Sequence, residues 1–287
     1  MSQTKANSPD SVIQQFAARF RDPLHQAFHW EGTNGKAAIF VHGFPGTPAE
    51  MRGLAGRFHA AGWTASAPLL PGFGADLETL HRRTVRDWTD CITALCADAR
   101  RDHDQVVLVG FSLGGALSIR TASQVAGDGL IAISPFLKVD HVLWKLLPLL
   151  KFVIPNFKPF GLVKLDFNSA ETREGITAFM PGVNLDDPAV QQAIRDFAIP
   201  TRMLDQLRAA GAAAGRAAPS IQVPTLVIQG KDDRLVTPAN TRSIVRQIPN
   251  VDYRETPGEH NLLDEHEPSA GIVGEWSLAF ANTSVRK

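Results

Sequence analysis

From Lys36 onward, short apolar runs alternate with stretches whose apolar residues recur every three or four positions. Ala37 to Val41 (AAIFV), Val106 to Val109 (VVLV), Leu130 to Ile133 (LIAI) and Thr225 to Gln229 (TLVIQ) read as buried strands. Gly, Ser or Pro follows each within two residues, the usual punctuation of a strand end. Val251 to Glu255 is a further strand candidate. Val85, Trp88, Ile92, Leu95 and Ala99 share one helical face, and Thr237-Pro238 opens another helix as N-cap and first residue. Strands alternating with helices predict a mostly parallel sheet with helices on both faces and functional groups at the C-terminal strand ends.

The alternation lapses between Ser134 and Pro219. That stretch is too long for a loop and too apolar for a linker, so we read residues 134–219 as an inserted, mainly helical cap. The core is then 1–133 plus 220–287, with polar residues 1–10 expected to be flexible. Ala209 to Ala218 (AAGAAAGRAA) reads as a small, flexible return to the sheet.

Gly110 to Gly114 (GFSLG) is a G-x-S-x-G pentapeptide. Alone it is a weak signal. Its place between a strand and an Ala/Leu-rich helical start is what a nucleophile elbow requires. The glycines permit a crowded turn that leaves the Ser112 hydroxyl exposed beside a helix N-terminus, and the backbone N–H of Leu113 is an oxyanion donor there. A serine hydroxyl needs a neighbouring base, itself held by a third group, in the chain order Ser, acid, His. Lys231-Asp232-Asp233 follows the strand ending at Gln229, and either aspartate could turn toward His260. His260, in PGEHNLL, follows the strand candidate ending at Glu255. Three groups thus follow three separate strands in the required order. His266 is the rival base but lacks the glycine-preceded position of His260.

These residues, with His42 to Arg52 (HGFPGTPAEMR), Pro224 to Val236 and Gly258 to His260, resemble the α/β-hydrolases, closest to bacterial carboxylesterases and monoacylglycerol lipases. The resemblance covers about residues 37–135 and 220–281; the cap carries no matching motif. It implies Asp233 as the acid, three residues before Val236, and Phe44 as the second oxyanion donor. His42 is expected to anchor its loop, and Pro45-Gly46 to form a rigid turn. A carboxylate would stand where Ser112 does in haloalkane dehalogenases and epoxide hydrolases, which disfavours both. The expected activity is cleavage of carboxylic esters of short to medium acyl or monoacylglycerol type. The alternatives are a C–C hydrolase, thioesterase or amidase using the same groups, a ligand-binding protein without catalysis, or a scaffold acting through the cap.

Leu137 to Phe157 is the most apolar passage, and Leu143, Leu146, Leu147, Leu150 and Phe152 are candidate lining for an acyl pocket over Ser112. Lys138, Lys145, Lys151 and Lys158 punctuate it, which points to transient contact with a lipid surface; packing of cap on core is the plainer role for most of these residues. Val142 to Ile154 is too short to span a bilayer, and no signal segment opens the chain. A soluble, cytoplasmic protein is the default.

With 29 basic and 29 acidic residues, the chain lacks the basic excess of a nucleic-acid binder. At 287 residues and 44% hydrophobic it can bury a large core without metal or disulfide staples. Cys91 and Cys96, five apart on a predicted helix, are too distant for an unstrained bridge and read as reduced core thiols. His81, His103 and His141 have no ligand-spaced partners. No metal and no organic cofactor is called for.

Overall fold

The structure, a computed structural model, describes residues 20–125, 127–139, 142–158, 165–170, 172–173, 176, 184–196 and 198–283. Residues 1–10 and His141 lie outside them. In chain order the elements are β1 (Phe28–Trp30), β2 (Lys36–Val41), α1 (Arg52–Ala60), β3 (Thr64–Ala67), α2 (Val85–Asp102), β4 (Gln105–Phe111), α3 (Leu113–Ala122) and β5 (Gly129–Ile133). After these come α4 (Val142–Val153), β6 (Asn156–Phe157), α5 (Pro188–Asp196), β7 (Ile199–Pro200), α6 (Thr201–Ala217), β8 (Thr225–Gly230), α7 (Pro238–Val245), β9 (Val251–Thr256) and α8 (Pro268–Thr283).

Seven strands form one sheet in the order β1-β3-β2-β4-β5-β8-β9. Only the edge pair β1/β3 is antiparallel. This is the mostly parallel sheet that the alternation predicts. The five strands read from the sequence are all present, within two residues at each end. The two it lacked, β1 and β3, sit at the edge; β3 (TASA) is built from small residues that carry little apolar signal.

Side-chain alternation divides the central strands between two cores. Ile39, Val41, Val106, Leu108, Leu130 and Val227 face α2, α3 and α6. Phe40, Val107, Val109, Ile131, Leu226 and Ile228 face α1 and α8. Covering a parallel sheet on both sides satisfies its apolar faces and leaves the strand ends to carry polar work. Helix α2 starts from a capping box in which Thr84 and Asp87 bond each other's backbone N–H, and it lays Trp88, Ile92 and Cys96 on the sheet. Cys91 and Cys96 are free, and burial raises both thiols, Cys96 to about 12.

The expected flexible return at Ala209–Ala218 is instead the second half of helix α6 and the turn after it. Its small residues serve close packing: Ala210, Gly211, Ala214 and Ala217 are buried, and a Cβ on Gly211 would strike the Leu137 carbonyl. Alanine also has the highest helix propensity, so the run is rigid rather than loose. Ahead of α6 stand α4, α5 and the two-residue β6/β7 pair, with a small separate cluster of Phe167, Ile176, Leu185, Val190 and Ile194. Lys151 of α4 reaches Asp205 of α6 at 2.6 Å, and Arg208 meets the other oxygen of that buried carboxylate at 2.8 Å. No helix among the described residues is long and apolar enough to cross a membrane.

Candidate active site

Ser112 sits where β4 ends and α3 begins, with φ 53° and ψ −117°. A non-glycine residue in that region costs on the order of 1–3 kcal/mol and needs over-determined surroundings. They are visible here. The Ser112 N–H donates to Ile133 O at 2.9 Å, and its carbonyl accepts from Ala116 and Phe136. Gly110 and Gly114 have no alternative: a Cβ on the first would collide with the Gly114 backbone, and one on the second with Val41 O. The motif's spacing is therefore a steric requirement of the turn.

His260 Nε2 lies 2.9 Å from Ser112 Oγ, and His260 Nδ1 lies 2.8 Å from Asp233 Oδ2. With Nδ1–H donating to the carboxylate, Nε2 is left as acceptor for the hydroxyl. Phe111 packs on the imidazole with ring centroids 5.4 Å apart. The choice between the two aspartates is geometric. Asp233 is buried and faces His260, whereas Asp232 is exposed and turns to the Gly258 N–H at 3.5 Å. Asp233 Oδ1 accepts the N–H groups of Leu235 and Val236 at 2.9 and 2.8 Å. A side chain that sequence reasoning missed completes the arrangement. Gln229, fully buried, donates to Asp233 Oδ2 at 2.9 Å and to Val236 O at 3.1 Å, while Thr241 donates to Gln229 Oε1 at 2.8 Å. Its signal was present, a polar residue closing an apolar strand four positions before the acid.

The other side of Ser112 is the loop after β2. Gly43 lies so near that a Cβ there would stand 3.0 Å from Ser112 Cβ. Phe44, next in the chain, packs edge-on to Phe73. Leu113 is the first residue of α3, so its N–H has no partner within the helix. His42 is buried; its Nδ1 lies 2.9 Å from Gly43 O, and its Nε2 accepts the Leu70 N–H at 3.1 Å. That pairing requires the neutral ring, and burial holds the imidazole down at about 4. His42 anchors its loop, as expected. Glu50 accepts the Gly43 N–H, and burial pushes its carboxyl up to about 7.

The five cap residues are not brought together in one pocket. Leu147 is buried and Leu150 partly so, but Leu143, Leu146 and Phe152 are 51, 43 and 79% exposed and face solvent. An amphipathic helix can bury only one face, and α4 gives that face to α6. His266 is exposed on a surface turn. His103 bonds Ala99 O and Thr64 Oγ1, and His81 bonds Glu78 O. Among the described residues no cluster could hold a metal ion.

A strained serine between strand and helix, a histidine within reach and a buried aspartate behind it, all at the ends of parallel strands, define an α/β-hydrolase site. The family described as serine aminopeptidase, S33 (Hydrolase_4), matches residues 33–267, and the chain belongs to it. It is an esterase- and lipase-like serine hydrolase family. The chain is 34% identical to the thermostable monoacylglycerol lipase of Bacillus sp. (strain H-257) over 92 residues, 32% of this chain and 37% of that relative. It is 23% identical to a carboxylesterase of Bacillus subtilis (strain 168) over 83% of this chain and 85% of the relative. A solved structure from the metagenome-derived lipolytic enzymes LipS and LipT superposes with a TM-score of 0.71 at 24% identity, covering 91% of this chain and 98% of the other. The family's description names a peptidase while these relatives are named for ester cleavage.

Proposed function

We propose that the protein is a serine hydrolase of carboxylic esters, of carboxylesterase or monoacylglycerol-lipase type (EC 3.1.1.-). The observation that carries this reading is the unbroken hydrogen-bond chain Ser112–His260–Asp233. Ser112 Oγ attacks the acyl carbon as His260 Nε2 takes its proton. The tetrahedral oxyanion is held by the N–H groups of Phe44 and Leu113, each such donor contributing roughly 3 kcal/mol to the transition state. His260 then protonates the departing alcohol, leaving an acyl-enzyme on Ser112. Water attacks that ester by the same path, with His260 again as base. Asp233 keeps the imidazole in its Nδ1–H form and stabilises its charged state.

The names of the relatives, a monoacylglycerol lipase and a carboxylesterase, support carboxylic-ester and monoacylglycerol-like substrates, and we take the acyl chains to be short to medium. We read residues 134–219 as the insertion that selects among them. The exposed apolar residues of α4, with the exposed Lys145 among them, support transient contact with a lipid surface. Hydrolysis of p-nitrophenyl esters from acetyl to palmitoyl, by the native chain and S112A, tests the assignment. Turnover that vanishes in S112A is expected, with a chain-length optimum that sizes the acyl site; a native chain inert on the whole series refutes ester cleavage. The family's peptidase description favours one second reading, amide cleavage. Amino-acyl p-nitroanilides turned over faster than matched esters would establish it.

A further inference from the structure

The loop between β2 and α1 holds a carboxyl for which the chemistry above has no use. Glu50 stands in the short turn Pro48–Met51 and folds back to accept the Gly43 N–H. Its carboxyl lies over Gly46, where a Cβ would collide with it. A Cβ on Gly43 would come within 3.2 Å of Glu50 Oε1 and 3.0 Å of Ser112 Cβ. Two glycines thus make room for one carboxyl beside the nucleophile. The Gly43 carbonyl is bound by His42 at 2.9 Å, so both polar groups of Gly43 are anchored. Among the described residues Glu50 makes no ion pair, and setting a carboxyl down without a cation is costly. Such a placement needs a compensating role.

We propose that Glu50 is a positioning residue of the oxyanion loop: by accepting the Gly43 N–H it holds the chain leading into Phe44 and aims the Phe44 N–H at the developing oxyanion. The inference rests on the reading of Phe44 and Leu113 given above. An oxyanion donor works only if it is in place before charge develops, because reorganisation at that moment consumes the stabilisation it offers. Phe44 lies in an irregular loop with no ladder to fix it, so its aim depends on its neighbour. Burial holds Glu50 as a neutral acid up to about 7, which lets it grip the loop without a full negative charge beside an oxyanion.

The test uses the full chain as wild type, S112A, E50A and E50Q, with p-nitrophenyl butyrate kinetics and hydrogen–deuterium exchange of the Gly43, Phe44 and Gly46 amides. E50A is expected to lower kcat about 30-fold with KM within about twofold, since a misaimed donor affects the transition state more than the ground state. Exchange in the loop rises in the same variant. E50Q, whose amide oxygen still accepts the bond, recovers most of kcat and the protection. Wild-type kcat in E50A, or an equal loss in E50A and E50Q, overturns the proposal. Unchanged exchange in E50A overturns it whatever the kinetics do. An inert wild type, or an active S112A, instead refutes ester hydrolysis through Ser112, and the exchange measurement still decides whether Glu50 holds the loop.

Discussion

The strand ends and helix α4 are built on opposite terms. At the strand ends Ser112, His260, Asp233 and Gln229, with Thr241 of α7 behind them, are joined by hydrogen bonds of 2.8 to 2.9 Å, and all but His260 are buried. On α4, Val142, Leu149, Phe152 and Val153 are 67 to 79% exposed. The first region is over-determined: moving any member leaves a buried polar group unpaired, at roughly 1–3 kcal/mol each. The second is tied to the body by its contact with α6 and by Lys151 on Asp205. The groups that would do the chemistry are held in place before a substrate arrives, whereas most side chains of α4 have few partners to hold them.

The hardest test of that contrast falls on the rigid side. S112A is expected to lower kcat for p-nitrophenyl butyrate by at least about 10³-fold, and D233N by about 10³- to 10⁴-fold, because Asn favours the wrong imidazole tautomer. D232A, on the exposed neighbour, should stay within about threefold of wild type by the same assay. A large loss in D232A would reverse the assignment of the acid.

Gln229 separates positioning from chemistry. Q229L takes one donor from Asp233, which keeps His260 and the Leu235 and Val236 N–H groups, and leaves the Thr241 hydroxyl without its acceptor. It should cost about 1–3 kcal/mol in urea denaturation, with kcat falling more than KM changes. Loss of stability without loss of kcat would make Gln229 a packing residue only.

Two titrations of opposite sign flank the oxyanion loop. Glu50, raised from 4.5 to about 7, holds its proton more tightly in the folded state, so its contribution to stability is lost as pH rises from 4.5 through 7. His42, lowered from 6.5 to about 4, does the reverse: its contribution is lost as pH falls from 6.5 through 4. In wild type the two largely offset between pH 6.5 and 4.5. E50Q removes one of them, and its stability relative to wild type should rise by on the order of 2 kcal/mol between pH 4.5 and 8, after allowance for solvent screening. Urea denaturation at both pH values measures it. A difference that does not change with pH would show that Glu50 does not titrate in this range.

The smallest effects belong to α4. K151M, which removes one of two cations from Asp205, should cost about 1–2 kcal/mol in the same denaturation assay. The double substitution L149S/F152S should change stability by less than about 0.5 kcal/mol, since both side chains already stand in water. Pelleting with anionic vesicles should fall in the same variant. A stability loss above about 2 kcal/mol would mean that these side chains are buried in solution, and the contrast between the regions would fail.

The amino-acid order alone determined the parts whose physics is local. Four apolar runs at strand length, punctuated by glycine, serine and proline, must be buried strands, and covering both faces of the resulting sheet leaves little choice of architecture. The G-x-S-x-G turn needs glycines because backbone atoms occupy the space of their Cβ atoms, so the nucleophile is legible from five letters once they stand between a strand and a helical start. His260 was legible from its place after a strand and a glycine. Tertiary structure alone decided whatever depends on which of two neighbours turns inward. Asp232 and Asp233 have the same chemistry: the family pattern pointed to Asp233, and the packing of the Gly258–His260 loop on the end of β8 is what turns it inward. Glu50 reads as an ordinary polar residue until folding sets it against Gly43, and the polar end of the β8 run marks Gln229 without saying which groups it joins. The alanine-rich half of α6 reads as loose until α3 and Leu137 close on it. Burial and the partner across a gap are properties of distant segments meeting, and no local pattern in the chain encodes them.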